Sequence, residues 1–307
     1  MKKIYISGCG GMLGEAFYEV FRGDNSLKCT DIDVNAPWLS YLDIRDLDAY
    51  RKDVAAFRPD YLFHLGACTD MEDCERNADN AWLTNTTAVE NAAYIANELG
   101  IPLLYIGTAG IFDGHKQLFD DWDIPNPLSC YARTKYAGEV FVREHVTQHL
   151  VCRAGWMMGG GPSKDKKFVQ KIMHQLANGV TDLHIVNDKF GSPTYTRDFA
   201  HNVRNLLKKE YWGTYNMACD GLTSRLEIAH AILEFRGLQD TVRIFEVPSS
   251  HFNQEYFAQR PASECLINAK LNLRQLNGMR HWKVALKACL EDYYTGSAAM
   301  GRSASPA

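Results

Sequence analysis

The sequence has no marked excess of charge of either sign. Its 307 residues include 33 lysines and arginines and 37 aspartates and glutamates, which leaves a formal net charge of −4 at pH 7. Proteins that bind nucleic acid or an anionic membrane through a basic face carry clustered positive charge. The near balance of charge disfavours both classes of partner, and we expect the protein to bind neither nucleic acid nor a membrane.

The sequence also lacks long apolar runs and paired cysteine motifs. No apolar run approaches the roughly 18 residues that span a bilayer, and the two lysines near the amino terminus are not followed by an apolar segment. The nine cysteines are odd in number and none belongs to a Cys-x-x-Cys pair, so we expect reduced thiols and a cytoplasmic location. His145 and His149 have helical spacing but lack the glutamate of a zinc-binding helix, so we expect no metal.

In the first half of the chain, short apolar segments alternate with amphipathic ones. This rhythm predicts an α/β fold with a Rossmann-type, doubly wound parallel sheet and helices on both of its faces. The predicted strands are Lys3–Ser7, Leu27–Asp31, Asp60–Leu65, Pro102–Thr108 and His149–Arg153, and the predicted helices are Glu15–Phe21, Leu47–Phe57, Thr86–Leu99 and Tyr131–His145.

The alternation stops after Trp156. Met157–Lys167 is rich in glycine and lysine and predicts a loop, and a strand is predicted at His184–Val186. Further helices are predicted at Phe168–Ala177, Leu226–Phe235 and Trp282–Tyr293. The predicted domains are a doubly wound domain over residues 1–156, with 181–217 returning to it, and a smaller, discontinuous domain over 157–180 and 218–293. A disordered tail is predicted over 296–307.

A glycine-rich turn joins the first predicted strand to the first predicted helix. Glycines let a backbone approach a pyrophosphate closely, and a helix N-terminus presents unpaired N–H groups and a positive dipole end to it. The alternative is a plain tight turn. The residues predicted to contact a dinucleotide here are Gly8, Gly11, Met12, Leu13 and Gly14.

An acidic residue ends the second predicted strand. A carboxylate at Asp31, with Asp33 as the second candidate, can accept hydrogen bonds from the adenosine ribose. No lysine or arginine occurs over residues 31–40 to pair with a 2′-phosphate. The sequence therefore favours NAD(H), with NADP(H) as the alternative, and Asp43 is a candidate contact for the adenine amino group.

Tyr131 is the only one of the 15 tyrosines with a lysine four residues later. That spacing puts Tyr131 and Lys135 on one face of a helix. A nearby ammonium lowers the pKa of a phenol, so the tyrosine can serve as a general acid or base. Thr108 ends a predicted strand at the carboxyl edge of the sheet, where its hydroxyl could bind a reacting oxygen.

With these features in this order, the chain resembles the extended short-chain dehydrogenase/reductases, and among them the dTDP-4-dehydrorhamnose reductase family. The resemblance covers about residues 1–293. It is carried by Leu42–Asp46, Arg58–Asp60, His64–Asp70, Thr108 with Ile111–Gly114, Tyr131–Glu139, Gly191–Tyr195 with Asp198, and Arg260–Ser263.

The resemblance implies a nicotinamide cofactor and a nucleotide-diphosphate sugar as substrate. Tyr131 would protonate the carbonyl oxygen, Thr108 would bind the same oxygen, and Lys135 would hold the nicotinamide ribose. Arg260 would grip the diphosphate, with a salt bridge between domains as the alternative. The further implied contacts with the cofactor, which would bind the domain over residues 1–156, are Asp43, Ile44, Leu65, Gly66, Ala67, Tyr131 and Lys135. Those implied for the substrate are Thr69, Ala109, Gly110 and Trp156.

One stretch departs from the family pattern. Where the family usually has Ser-Thr-Asp-Tyr, this chain has Gly-Thr-Ala-Gly over residues 107–110. Two side chains that adjoin the sugar in the family are thus missing, which leaves open which sugar is bound. Two alternatives stay open: the space accepts a different or larger sugar, or side chains from residues 157–167 refill it.

The leading interpretation is an NAD(P)H-dependent reductase of a 4-keto nucleotide sugar. One alternative is a nucleotide-sugar 4-epimerase, which uses the same tyrosine and lysine with a retained NAD. Another is a non-catalytic subunit resembling the regulatory subunit of methionine adenosyltransferase. A 4,6-dehydratase is disfavoured because Ala109 and Gly110 cannot transfer protons. A homodimer is an open alternative to a monomer.

Overall fold

The computed structural model describes residues 1–294. Its strands are β1 Lys2–Ser7, β2 Asn25–Asp31, β3 Leu39–Tyr41, β4 Tyr61–His64, β5 Leu103–Thr108, β6 Leu118–Phe119, β7 His149–Ala154, β8 Trp156–Met158, β9 Asp182–Val186, β10 Phe190–Gly191, β11 Pro193–Tyr195, β12 Gly213–Asn216, β13 Thr223–Ser224, β14 Arg243–Val247 and β15 Ser263–Leu266.

Twelve α-helices connect and cover these strands in the described part of the chain. They are α1 Met12–Phe21, α2 Leu47–Phe57, α3 Met71–Arg76, α4 Ala78–Trp82, α5 Ala88–Leu99, α6 Cys130–His145, α7 Gly161–Lys164, α8 Phe168–Ala177, α9 Thr196–Lys209, α10 Arg225–Arg236, α11 Ala269–Leu273 and α12 Trp282–Tyr293.

Seven parallel strands form the central sheet, in the order β12-β7-β5-β4-β1-β2-β3. This order confirms the predicted Rossmann-type fold. The chain runs outward from β1 to β3 and then returns to the other side of β1 with β4. Open α/β sheets bind ligands at the carboxyl ends of the strands where the order reverses, which here are β1 and β4.

Apolar clusters cover both faces of the sheet. Along β1, Ile4 and Ile6 pack in one cluster with Phe63, whereas Tyr5 packs in the other with Tyr50. Alternate residues of a strand point to opposite faces, so β1 is buried on both sides. This arrangement explains the continuous apolar character of the predicted strands.

The remaining strands form three smaller sheets. Their orders are β13-β10-β15-β6, β11-β8 and β14-β9. β12 joins the edge of the central sheet beside β7, whereas β9 pairs with β14. The range 181–217 therefore contributes to more than one sheet, and the division into two domains stays a prediction. The predicted tail at 296–307 lies outside the described residues.

Met157–Lys167 has more regular structure than the predicted loop, because it contains part of β8 and the short helix α7.

All nine cysteines are free thiols, and eight of them are buried. Within residues 1–294, no helix is long and apolar enough to cross a membrane. The same residues contain no cluster of three or more potential metal ligands from histidine, cysteine, aspartate and glutamate.

Candidate active site

The turns after β1 and β4 are in close contact. Gly8 has a φ of +71°, and a Cβ atom at this position would overlap the backbone nitrogen of Gly66. The N–H of Leu65 donates to the carbonyl of Ser7 at 2.9 Å, which continues the pairing of the two strands. Gly8 is thus required both by its backbone conformation and by the approach of the Leu65–Gly66 backbone.

Helix α1 begins at this junction with an uncapped N-terminus. Its N-cap is Gly11, and no side chain caps the helix. A Cβ at Gly11 would meet nothing within 4 Å, so the space before the helix is open. The N–H groups of the first turn, including Met12 and Leu13, point along the helix axis toward this space. An open glycine turn with a free helix N-terminus fits the pyrophosphate of a dinucleotide.

Asp31 lies beside the glycine turn, at the end of β2. One carboxylate oxygen accepts a hydrogen bond from the Gly10 N–H at 2.8 Å, and the other accepts one from the Asp33 N–H at 2.9 Å. Each carboxylate oxygen has a second lone pair, so Asp31 keeps acceptor capacity for a ribose hydroxyl. The Asp33 side chain is exposed and bonds Asn35 at 3.1 Å.

Asp43 has a local partner that the sequence analysis did not identify. Arg45 donates to both oxygens of its carboxylate, at 2.9 and 2.6 Å, and this hydrogen bonding lowers the pKa of Asp43. The carboxylate predicted to contact adenine is therefore already hydrogen-bonded to Arg45. Ile44 is buried, and its Cδ1 atom lies 2.6 Å from where a Cβ at Gly66 would be.

Thr108 and Tyr131 meet at the carboxyl end of β5. The Gly110 N–H donates to the Thr108 hydroxyl oxygen at 3.1 Å, which leaves the threonine proton free for another acceptor. Burial raises the pKa of Tyr131 to about 12, and a hydrogen bond with the Thr108 side chain acts in the opposite direction. The predicted lowering of the Tyr131 pKa by Lys135 is therefore wrong, because burial outweighs the interactions that lower it. The phenol is protonated at neutral pH and can donate a proton.

Lys135 lies one helical turn after Tyr131 in α6 and is only 4% exposed. Its Nζ atom is 4.2 Å from the centre of the Tyr105 ring. Burial lowers the pKa of Lys135 to about 7, although the charge of Glu139 opposes this shift. Glu139 is itself held by Arg153, whose guanidinium nitrogen lies 2.6 Å from a carboxylate oxygen.

The loop after β4 is fixed to α6 by a buried asparagine. A π-helical turn over Leu83–Thr87 precedes α5 and carries Asn85. The Asn85 side chain accepts from the Cys68 N–H at 2.8 Å and donates to the Cys68 carbonyl at 3.0 Å and the Thr134 hydroxyl at 3.1 Å. Asn85 therefore positions the residues after Leu65, including the predicted contacts Gly66 and Ala67, relative to the helix of Tyr131. Asn85 was not predicted from sequence, because it lies just before the predicted helix Thr86–Leu99 and its partners are distant in the chain.

Arg260 is engaged in a salt bridge. Its two terminal guanidinium nitrogens lie 2.7 and 2.9 Å from the two carboxylate oxygens of Glu72. The alternative that the sequence left open, an ion pair, is thus what the structure contains, and a contact with a diphosphate stays a prediction. In the loop after β4, the hydroxyl oxygen of Thr69 accepts a hydrogen bond from the Lys167 ammonium at 3.3 Å.

Two charged residues near Trp156 were not predicted from sequence. The indole N–H of Trp156 donates to Glu264 at 2.7 Å, and the Arg225 guanidinium lies 3.7 Å from the centre of the Trp156 ring. Burial lowers the pKa of Arg225 to about 10. The only sequence signal was a glutamate within the otherwise uncharged segment Ser263–Leu266.

Comparison with known proteins identifies the family. Residues 1–295 match the family described as the RmlD substrate binding domain. The chain belongs to this family. It is 29% identical to the spore coat polysaccharide biosynthesis protein SpsK of Bacillus subtilis over 293 residues, which cover 95% of this chain and 98% of SpsK.

Solved structures of similar proteins agree with this assignment. A dTDP-4-dehydrorhamnose reductase from Yersinia enterocolitica is 33% identical, with a TM-score of 0.86 over 95% of this RmlD-family chain and 100% of the other. A dTDP-4-dehydrorhamnose reductase from Bacillus anthracis, crystallised with NADP, is 26% identical, with a TM-score of 0.85 over 95% of this chain and 99% of the other.

Proposed function

We propose that this RmlD-family protein is an NAD(P)H-dependent reductase of a 4-keto nucleotide sugar, similar to dTDP-4-dehydrorhamnose reductase. The observation that carries the proposal is the hydrogen bond between Thr108 and Tyr131 at the carboxyl edge of the sheet, with Lys135 one helical turn after Tyr131. The first turn of the same sheet fits a dinucleotide. The dTDP-4-dehydrorhamnose reductases among its relatives support the substrate class.

In this proposal the glycine turn and the N-terminus of α1 hold the pyrophosphate, and Asp31 accepts from the adenosine ribose. The bound nicotinamide cofactor supplies a hydride to the sugar carbonyl carbon. Tyr131 donates its proton to the carbonyl oxygen, and the hydroxyl of Thr108 donates a hydrogen bond that stabilises the charge that develops on that oxygen. The Lys135 ammonium stabilises the tyrosinate that Tyr131 becomes.

The pKa of Lys135 predicts how the reaction depends on pH. As pH rises through about 7, Lys135 loses its charge, and with it the stabilisation of the developing tyrosinate. We therefore expect kcat/KM for reduction to be level below about pH 7 and to fall above it. Lys135→Arg keeps its charge over this range, so its profile should lack a decrease near pH 7. A wild-type profile that is flat between pH 6 and 9 would contradict the assignment.

The reductase is distinguished from its alternatives by cofactor stoichiometry. We expect one NADH or NADPH to be oxidised per 4-keto sugar consumed, followed by absorbance at 340 nm, with NADH preferred because Asp31 would repel a 2′-phosphate. A 4-epimerase would instead convert sugar with bound NAD and no net oxidation, and a regulatory subunit would bind nucleotide without turnover. Calorimetric titration with NADH and NADPH in parallel measures the preference, and tighter binding of NADPH would contradict the role of Asp31.

A further inference from the structure

The space beside Thr108 is filled by a residue from a distant strand. Ala109 and Gly110, which follow Thr108, are buried and have no polar side chains. A Cβ atom at Gly110 would lie 3.3 Å from an oxygen of the Glu264 carboxylate and 3.4 Å from the Thr108 hydroxyl oxygen. A carboxylate oxygen and the Thr108 hydroxyl oxygen therefore both border the space at Gly110, although the local sequence provides no carboxylate.

The pairing of β10 with β15 explains how Glu264 is held. Glu264 lies opposite Gly191 in the register of these strands, and a Cβ at Gly191 would overlap the indole of Trp156. The absence of a side chain at Gly191 thus lets the indole reach Glu264, to which its N–H donates at 2.7 Å. Arg225, 3.7 Å from the centre of the indole ring, stabilises this arrangement by a cation–π contact.

Within residues 1–294, only one of the two Glu264 carboxylate oxygens accepts a hydrogen bond. Trp156 bonds Oε2, and no other described residue donates a hydrogen bond to this side chain. Oε1, the atom that faces Gly110 and Thr108, is left with its lone pairs available. Glu264 is half-buried rather than enclosed, so a ligand at Thr108 can reach it.

We propose that Glu264 determines sugar specificity, with Oε1 accepting a hydrogen bond from the sugar hydroxyl next to the carbonyl that Thr108 binds. This inference rests on the proposed reductase function. A carboxylate oxygen is a hydrogen-bond acceptor that stabilises a bound sugar with a hydroxyl donor and does not stabilise an analogue that lacks it. Trp156 is a positioning residue, because it orients the carboxylate through Oε2. The negative charge of Glu264 also helps to keep the Tyr131 phenol protonated.

The test compares two 4-keto nucleotide sugars that differ only in the hydroxyl next to the ketone, present in one and replaced by hydrogen in the other. We expect the wild-type protein to prefer the hydroxylated sugar by about 10- to 100-fold in kcat/KM, the range for a hydrogen bond to a charged group. Glu264→Ala should remove this preference by lowering kcat/KM for the hydroxylated sugar to about the value for the deoxy sugar. Trp156→Phe, which keeps a ring beside Arg225 but loses the N–H donor, should reduce the preference partially.

Glu246→Ala is the matched control, because Glu246 is an exposed glutamate on β14 and should leave the preference unchanged. An equal loss of activity by Glu264→Ala on both sugars, with a lowered melting temperature, would overturn the proposal in favour of a structural role. Calorimetric binding of both sugars separates this test from the proposed function. If neither sugar is reduced but wild-type binding still depends on the hydroxyl and on Glu264, the reductase assignment fails and the recognition role stands.

Discussion

Tyr131→Phe is expected to lower kcat by at least about 100-fold, the usual scale for loss of a positioned general acid. The phenol bonds the Thr108 side chain and has a pKa raised to about 12 by burial. Phenylalanine removes the transferable proton and leaves the ring. Because the glycine turn and Asp31 lie on other elements, we expect the affinity for NADH to change by less than about threefold. Steady-state kinetics and calorimetric titration measure the two effects.

Tyr136→Phe provides the control for Tyr131→Phe. Tyr136 lies on the same helix and is also partly buried, but it packs in the cluster of Phe112 and Phe119. Its loss of a hydroxyl should leave kcat nearly unchanged. If Tyr131→Phe retains near-wild-type turnover on a sugar that the wild-type protein reduces, Tyr131 is not the proton donor.

Gly8→Ala is expected to destabilise the protein by about 3 kcal/mol or more and to weaken cofactor binding. Two costs add at this position, since a φ of +71° is strained for alanine and the new Cβ would overlap the Gly66 backbone. Relief of the overlap requires the turns after β1 and β4 to move apart. Urea unfolding gives the stability change, and titration with NADH gives the change in affinity.

Gly100→Ala separates the two costs. Gly100 ends α5 with a φ of +63°, close to that of Gly8, but a Cβ there would meet nothing within 4 Å. This variant should lose only the about 1–2 kcal/mol of left-handed backbone strain, with unchanged cofactor affinity. Equal losses of stability in the two variants would mean that the close approach of Gly8 to Gly66 contributes nothing.

Local patterns were sufficient to predict the fold and much of the element order. The helices Leu47–Phe57, Phe168–Ala177 and Trp282–Tyr293 have the predicted bounds. Helix α9 was missed, although its buried Phe199, Val203, Leu206 and Leu207 follow helical spacing. The two residues of β10 are too few to show a periodicity, so its pairing with β15 had no local signal.

The candidate site could be predicted where it depends on adjacent residues and not where it depends on tertiary pairing. Tyr131 and Lys135 share one helix, so their common face follows from spacing alone. The partners of Asp43 and Arg260 depend on side-chain geometry, and a sequence offers many possible partners for each charge. Glu264 lies beside Gly110 but belongs to a strand far along the chain, so its position follows from strand pairing and not from local sequence.

The contact between Gly8 and Gly66 also connects metabolite supply with the lifetime of the protein. The two glycines are far apart in the chain, so the turn that we propose holds the dinucleotide does not exist once the sheet unfolds. A cofactor that binds only the folded chain at 100 times its Kd adds about 2.7 kcal/mol to stability. Proteases cleave the transiently opened form, whose population falls about 100-fold under these conditions. A cell depleted of reduced and oxidised nicotinamide dinucleotides would therefore degrade this protein faster than a replete one.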